Sequence, residues 1–347
     1  MAHRIEQPWD KVYSTVSREW HGLADVVERI DMNILKPVLF PIIEGDVFVQ
    51  VDGESVRMQD KALVADYRHR DDLPEGERLK ALSVMGKDYF VIDNTSIFGA
   101  VEKAINDHGL DAKIVTAGSV RGGKTFFMSL QQDDQSHEFK NGDKWDFYIS
   151  FNSSHDGVDA LVAYLCGFRS VCWNTIRWGC DSADTKIRIQ HKKNAKLQMD
   201  SLPEIIVAMR NQQTEMIEAL THLAGIECDI VKAQRIVSGY FSKMLGGEKE
   251  LSVRTSNSVR GIIDLFQTGQ GNRGESMYDL TNGVTDYYTN GAGTGTNQKL
   301  GDRYFKANFG SAADHKERFT TLLFDKDSRD ELEDIGAGVV LTEPKEA

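Results

Sequence analysis

Residues 118–125 read GSVRGGKT and fit the phosphate-loop pattern G-x-x-x-x-G-K-[ST], from Gly118 through Gly123 to Lys124 and Thr125. That chemistry needs a strand to deliver the loop and a helix to follow it, because the free N–H groups of the helix's first turn cradle the phosphate. Residues 112–116 (AKIVT) read as the delivering strand. The next stretch, FFMSL, is aromatic-rich, lacks helical periodicity and runs into the polar QQDDQ, so it reads as a second strand. The sequence therefore predicts a β-hairpin, with Gly122 and Gly123 supplying the positive φ angles of a tight primed turn. A hairpin tip has no helix dipole, and Asp146 and Asp66 are only loose partners for a magnesium ion. What the tip does hold is two cations, Arg121 and Lys124.

Asn152-Ser153-Ser154-His155-Asp156-Gly157 is turn chemistry, short side chains that bond their own backbone ahead of a glycine. His155 beside Asp156 could serve as an acid/base pair, but no nucleophile or metal motif accompanies it, and a turn is expected. Cys166, Cys172, Cys180 and Cys228 are spaced six, eight and 48 residues apart, which matches neither a zinc site nor a disulfide scaffold. No catalytic residue, cofactor or metal is expected.

The net charge of −12 argues against a protein that coats nucleic acid through its average field. The charge is unevenly spread. From Arg169 to Asp200 seven cations (Arg169, Arg177, Lys186, Arg188, Lys192, Lys193, Lys196) face three acids, a local excess of four. From Asp325 to Ala347 eight acids face three cations, and this end reads as an acidic tail, residues 326–347. A groove for single-stranded DNA would combine Arg121, Lys124, Arg169, Arg177, Lys186, Arg188, Lys192 and Lys193 with Trp173 and Trp178 as stacking platforms. The competing expectation is an ordinary solvated face with the tryptophans in the core.

These side chains need a scaffold, and the pattern supplies an α+β one: a curved antiparallel sheet with a packed helix in residues 1–200, then a helical region over 201–325. Residues 1–45 read as helix and loop anchored by Trp9 and Trp20. DVFVQV, ESVRM, ALVADYR, LSVM, DYFVID, DKWDFYISF and TKIRIQH read as strands, with turns at Asp52-Gly53-Glu54 and Gly86-Lys87. Asn94 or Thr95 caps the amphipathic SIFGAVEKAIND, and Asn174-Thr175 looks like another helix cap. LPEIIVAMRNQQTEMIEALTHLAG, CDIVKAQRIVSGYFSKML and NSVRGIIDLFQTG carry helical periodicity. TNGAGTGTNQ reads as a flexible loop. No apolar run approaches the roughly 20 residues that span a bilayer, and the first residues lack the apolar core of a secretory signal, so a cytoplasmic location is expected.

NSSHDG, RSVCWNT and IRIQHKKN in that order resemble the phage/plasmid-like protein family, a domain of unknown function carried by bacteriophages and mobile elements. Asn152, Ser154, His155, Asp156 and Gly157 match its first motif with one extra serine. Arg169, Val171, Cys172, Asn174 and Thr175 match the second, and His191 ends the third. The likeness extends to Trp20-His21-Gly22, to Gly86 and Tyr89, to Gly122 and Gly123, and to TNGVTDYY, where the family's tryptophan is missing. A strand-rich unit followed by a helix also resembles, at the level of topology, the core of phage single-strand annealing recombinases. That resemblance implies a non-enzymatic single-stranded DNA-binding or annealing protein of recombination or replication, acting as a homo-oligomer in the bacterial host cytoplasm. The alternative is a phage structural or interaction protein that recruits a partner through its acidic tail.

Overall fold

The computed structural model describes residues 42–67, 79–110, 112–132, 137–139, 142–169, 175–177, 186–290, 307 and 310–343. The architecture is α+β, antiparallel sheet first and helices mostly after it. The N-terminal helix and loop expected over residues 1–41, together with Trp173 and Trp178, lie outside the described residues.

β1 (Ile42–Val51), β2 (Glu54–Tyr67) and β3 (Leu79–Gly86) form an antiparallel meander. ESVRM and ALVADYR prove to be one continuous strand, β2, which folds back on β1 through the expected turn, Asp52 and Gly53 taking φ of 52° and 86°. DYFVID is not a strand. Its Phe90 N–H donates to the His191 carbonyl at 3.1 Å, and Asp93 accepts from Ile42 N–H at 2.9 Å while preceding α1 (Asn94–Asn106) as its cap. The backbone groups a strand would use are thus committed to loops, and the cap falls on Asp93 instead of Asn94 or Thr95.

The larger sheet contains β4 (Ala112–Val120), β5 (Thr125–Gln132), β6 (His137–Glu138), β7 (Lys144–Ser154), β8 (Leu161–Arg169), β9 (Thr175–Arg177) and β10 (Lys186–Ile189). Its order is β10-β8-β7-β5-β4, with β6 on β7 and β9 on β8, all antiparallel. Thr175, expected near a helix start, pairs with Phe168 in β9, since the free edge of β8 offers a ladder there. Phe126, Phe127, Met128, Leu130, Phe147, Ile149 and Phe151 are buried in the same core as Ile97, Phe98 and Val101 of α1.

The helical half holds α2 (Ala195–Asp200), α3 (Leu202–Ala224), α4 (Ile230–Met244), α5 (Val253–Thr268), α6 (Met277–Asn290), α7 (Ser311–Phe324) and α8 (Lys326–Ala337). Asp229, Ser252 and Asp325 cap α4, α5 and α8 by accepting the N–H three residues on. From Met277 to Thr289 every residue of α6 is buried, polar ones included. It is joined to the sheet by Trp145 Nε1–H, which donates to the Tyr278 hydroxyl at 2.8 Å, while that hydroxyl donates to Asp143 at 3.0 Å.

The segment read as an acidic tail belongs to this layer through residue 343. Leu332 is fully buried, Arg329 is buried with its guanidinium on the Leu323 carbonyl, and β12 (Val340–Leu341) runs parallel to β11 (Glu250–Leu251). Its acids face cations of the body: Glu331 pairs with Lys243 at 2.6 Å, Glu333 with Lys232 and Arg235 at 3.9 Å, and Glu343 with Arg260 at 2.8 Å.

Candidate functional site at one end of the large sheet

The register places four features at one end of the large sheet. Val120 pairs with Thr125 at the β4–β5 hairpin, Thr125 pairs with Ser154, and Leu161 pairs with Ile189, after which come His191, Lys192 and Lys193. Residues 118–125 are therefore a hairpin and not a phosphate loop, with both flanking strands in one antiparallel ladder. Its turn differs from the Gly-Gly expectation: Arg121–Gly123 form one 3-10 turn, and the positive φ angles fall on Arg121 (57°) and Gly123 (93°). A left-handed arginine needs support, and Asp156 supplies it across the gap, bonding Nη2 at 2.6 Å and Nη1 at 3.5 Å.

Behind this pair lies a buried polar cluster. Asn152, Ser153 and Ser154 are not turn residues; they are the last, buried residues of β7, and the turn into β8 begins at His155. His155 is wholly buried. Its N–H donates to the Lys124 carbonyl at 2.7 Å, its carbonyl accepts from Ser83 Oγ at 2.5 Å, and its Nε2 lies 2.9 Å from Asn94 Oδ1. His191 Nδ1 stands 3.0 Å from the Phe90 carbonyl and its Nε2 3.4 Å from Ser153 Oγ, while its ring stacks on Tyr89 at 4.7 Å. The Tyr89 hydroxyl donates to the Ser154 carbonyl at 2.9 Å. Asp159 N–H donates to Ser154 Oγ at 2.8 Å, which in turn donates to the Asp159 carbonyl at 2.9 Å.

Burial decides the charge state here. Desolvation, with the neighbouring His191 adding to it, pulls His155 down to about 4, and it pulls His191 down as well. Burial raises Tyr89, and it raises Asp159 against the opposing pull of Arg121 and Arg188. With Asn94 Oδ1 accepting, the His155 proton sits on Nε2, and Nδ1 faces no partner among the described residues; Asn94 Nδ2 is likewise unmatched. His155 and Asp156 thus do not act on each other as an acid/base pair: the imidazole faces Asn94 and the carboxylate faces Arg121. The cluster is sealed, and what it does is fix the hairpin tip, the β7–β8 turn and the start of α1 relative to one another.

The exposed rim is where contact is available. Arg121, Lys124, Arg188, Lys192 and Lys193 share this end, Lys193 being paired with Asp88 at 2.9 Å. Among the described residues no ion pair holds Lys124, Arg188 or Lys192. Arg188 and Arg121 both act on Asp159, which puts the hairpin and β10 around one carboxylate. Arg177 pairs in register with Cys166, about 17 Å along β8 from Leu161, and Arg169 with Trp145, about 26 Å along it at 3.3 Å per residue. Lys186 lies opposite Tyr164, between the two ends. Sequence reasoning missed Ser83, Asn94 and Asp159 as members of the cluster. Only Tyr89, through its G-x-x-Y setting, carried a signal.

Among the described residues no three His, Cys, Asp or Glu side chains come together to hold a metal ion, and no helix is long and apolar enough to cross a membrane. Cys166 and Cys228 are buried, and burial pushes Cys228 up to about 12. No curated protein and no solved structure matches the chain. The family model described as Domain of unknown function (DUF932) matches residues 81–309, a span that contains most of β3, the hairpin, His155, His191 and the whole of α6. With two thirds of its length inside that match, the chain belongs to the DUF932 family.

Proposed function

We propose that this chain binds single-stranded DNA at the cation-bearing end of its large sheet. It would do so without catalysis, as a binding or annealing protein of the kind phages and mobile elements use in recombination or replication, working in the host cytoplasm. One observation carries the reading: in a chain of net charge −12, Arg121, Lys124, Arg188, Lys192 and Lys193 gather at one sheet end. Asp156 and Asp88 already offset Arg121 and Lys193, so Lys124, Arg188 and Lys192 supply most of the attraction for phosphate. In this reading Trp173 and Trp178 offer faces for bases, each stacked base contributing about 1–3 kcal/mol, which favours single strands over duplex. Arg169, Arg177 and Lys186 extend the track along β8 and its neighbours.

Filter binding with single-stranded and duplex oligonucleotides across a salt series tests this. Each phosphate neutralised on a single strand contributes a slope of roughly 0.7 in log K against log salt. Replacing Arg188, Lys192 and Lys193 together by alanine is expected to flatten the slope by about two units and leave the fold intact. Absence of salt-sensitive binding by the wild type at low ionic strength overturns the reading. A second reading, a non-enzymatic interaction protein, is favoured by a separate observation: an apolar ribbon that stands clear of the body.

A further inference from the structure

β2 is last paired with β3 at Lys61, opposite Gly86. Beyond that point the β1–β2 ribbon continues alone to the Asp52-Gly53 turn, with Phe48 opposite Arg57, Val49 opposite Val56, Gln50 opposite Ser55 and Val51 opposite Glu54. β2 carries three extra residues where the register shifts between Asp46 and Phe48, so the overhang is set by the five steps of β1 from Asp46 to Val51, about 17 Å at 3.3 Å each. Both faces of this arm are open: Phe48 is 56% exposed, Val51 and Val56 52% and Val49 42%. A two-stranded ribbon is marginal by itself in water, and apolar residues on both faces call for a cover. The end of the arm is acidic. Asp52 and Glu54 sit there, and the nearest cation, Arg57, is already held by Asp46 at 2.6 Å.

The other half of the match is on the body. β10 is the outermost strand in the order of the large sheet, and around its end stand Arg188, Lys192 and Lys196 with two exposed apolar side chains, Leu197 (73%) and Val158 (62%). An apolar, acidic arm and an apolar, basic sheet end are complementary in both respects. Within one copy the apolar side chains of the arm stay exposed, so the surface that covers them is offered in trans. We propose that the β1–β2 arm of one copy docks on the β10 end of a second copy. The two surfaces differ, so the contact is head to tail and propagates into a ring or a filament.

The test is sedimentation of the full chain without nucleic acid, at tens of micromolar and two salt concentrations, so its outcome does not depend on the DNA reading. The wild type is expected to sediment as multiples of 38.9 kDa at low salt and to dissociate at high salt. An arm variant, Asp52→Asn with Glu54→Lys, keeps a residue tolerant of the left-handed turn at position 52. It and a sheet-end variant, Lys192→Glu with Lys196→Glu, are each expected to be monomeric. An equimolar mixture of the two is expected to associate again, because each reversed surface meets its complement. Phe48→Ser is expected to weaken association by about tenfold. Circular dichroism checks that all variants are folded. A wild type that stays monomeric at low salt, a charge variant that associates like the wild type, or a mixture that fails to recover overturns the proposal.

Discussion

A Cβ on Gly336 would stand 1.8 Å from the Arg235 carbonyl oxygen, so α8 meets α4 backbone to backbone. The contact is reciprocal: a Cβ on Gly239 of α4 would lie 1.9 Å from the Leu332 carbonyl oxygen of α8. Neither neighbour is a side chain that can swing aside. Gly239→Ala and Gly336→Ala are each expected to cost about 2–3 kcal/mol by overpacking, read as a lower midpoint in urea. Were residues 326–337 a detached tail, Gly336→Ala would change nothing.

Tyr278→Phe removes one hydroxyl that serves Trp145 and Asp143 together in a buried place. The expected loss is about 1–3 kcal/mol, since the indole N–H is left without that acceptor. A double-mutant cycle with Trp145→Phe is expected to show coupling above about 0.5 kcal/mol; additive losses would mean that the bond contributes nothing.

His155 titrates in the folded chain near 4 and in the unfolded chain near 6.5. Its folded pKa is depressed, so the unfolded chain takes up the proton first, and stability falls as pH drops from about 6.5 to 4. The drop is roughly 3 kcal/mol at 1.36 kcal/mol per pKa unit. Buried Asp66, raised by desolvation to about 6, acts in the opposite sense, losing stability as pH rises through that value. Comparing wild type with His155→Gln isolates the histidine: the variant's stability is expected to be flatter between pH 6.5 and 4. Parallel curves would show that His155 is not the titrating group.

Equilibrium dialysis with magnesium and ATP is expected to detect no tight binding, and Lys124→Ala is expected to make no difference, because a 3-10 turn between antiparallel strands has no helix N-terminus to offer a phosphate. Tight magnesium-dependent binding abolished by that substitution would contradict the hairpin geometry.

Local rules were legible and long-range partners were not. The strand FFMSL and the periodicity of α3, α4 and α5 depend on neighbours a few residues away, so the hairpin and the helical half could be read directly. Residues 88–93 alternate like a strand, yet the N–H of Ile42, which donates to Asp93, and the carbonyl of His191, which accepts from Phe90, decide otherwise from far along the chain. The left-handed turn residue is Arg121 because Asp156, 35 positions on, holds it. α8 reads as part of an acidic tail because its packing stripe is Leu332 and Gly336, and a glycine chosen for close approach adds nothing to a count of apolar residues. The motif residues His155, His191 and Tyr89 do converge in space, but Asn94 read as a helix cap, and no spacing rule could pair it with a histidine 61 residues away.

The backbone contact between α4 and α8 also sets an order of events during synthesis. α4 is complete at Met244, and the helix that covers its glycine face is complete at Ala337, about 90 residues later. At roughly 5–20 residues per second that face waits about 5–20 s on the ribosome. The parallel pairing of residues 250–251 with 340–341 closes over the same interval. The helical layer therefore locks only after nearly the whole described chain has emerged, and until then α4 is a docking groove open to whatever else is near.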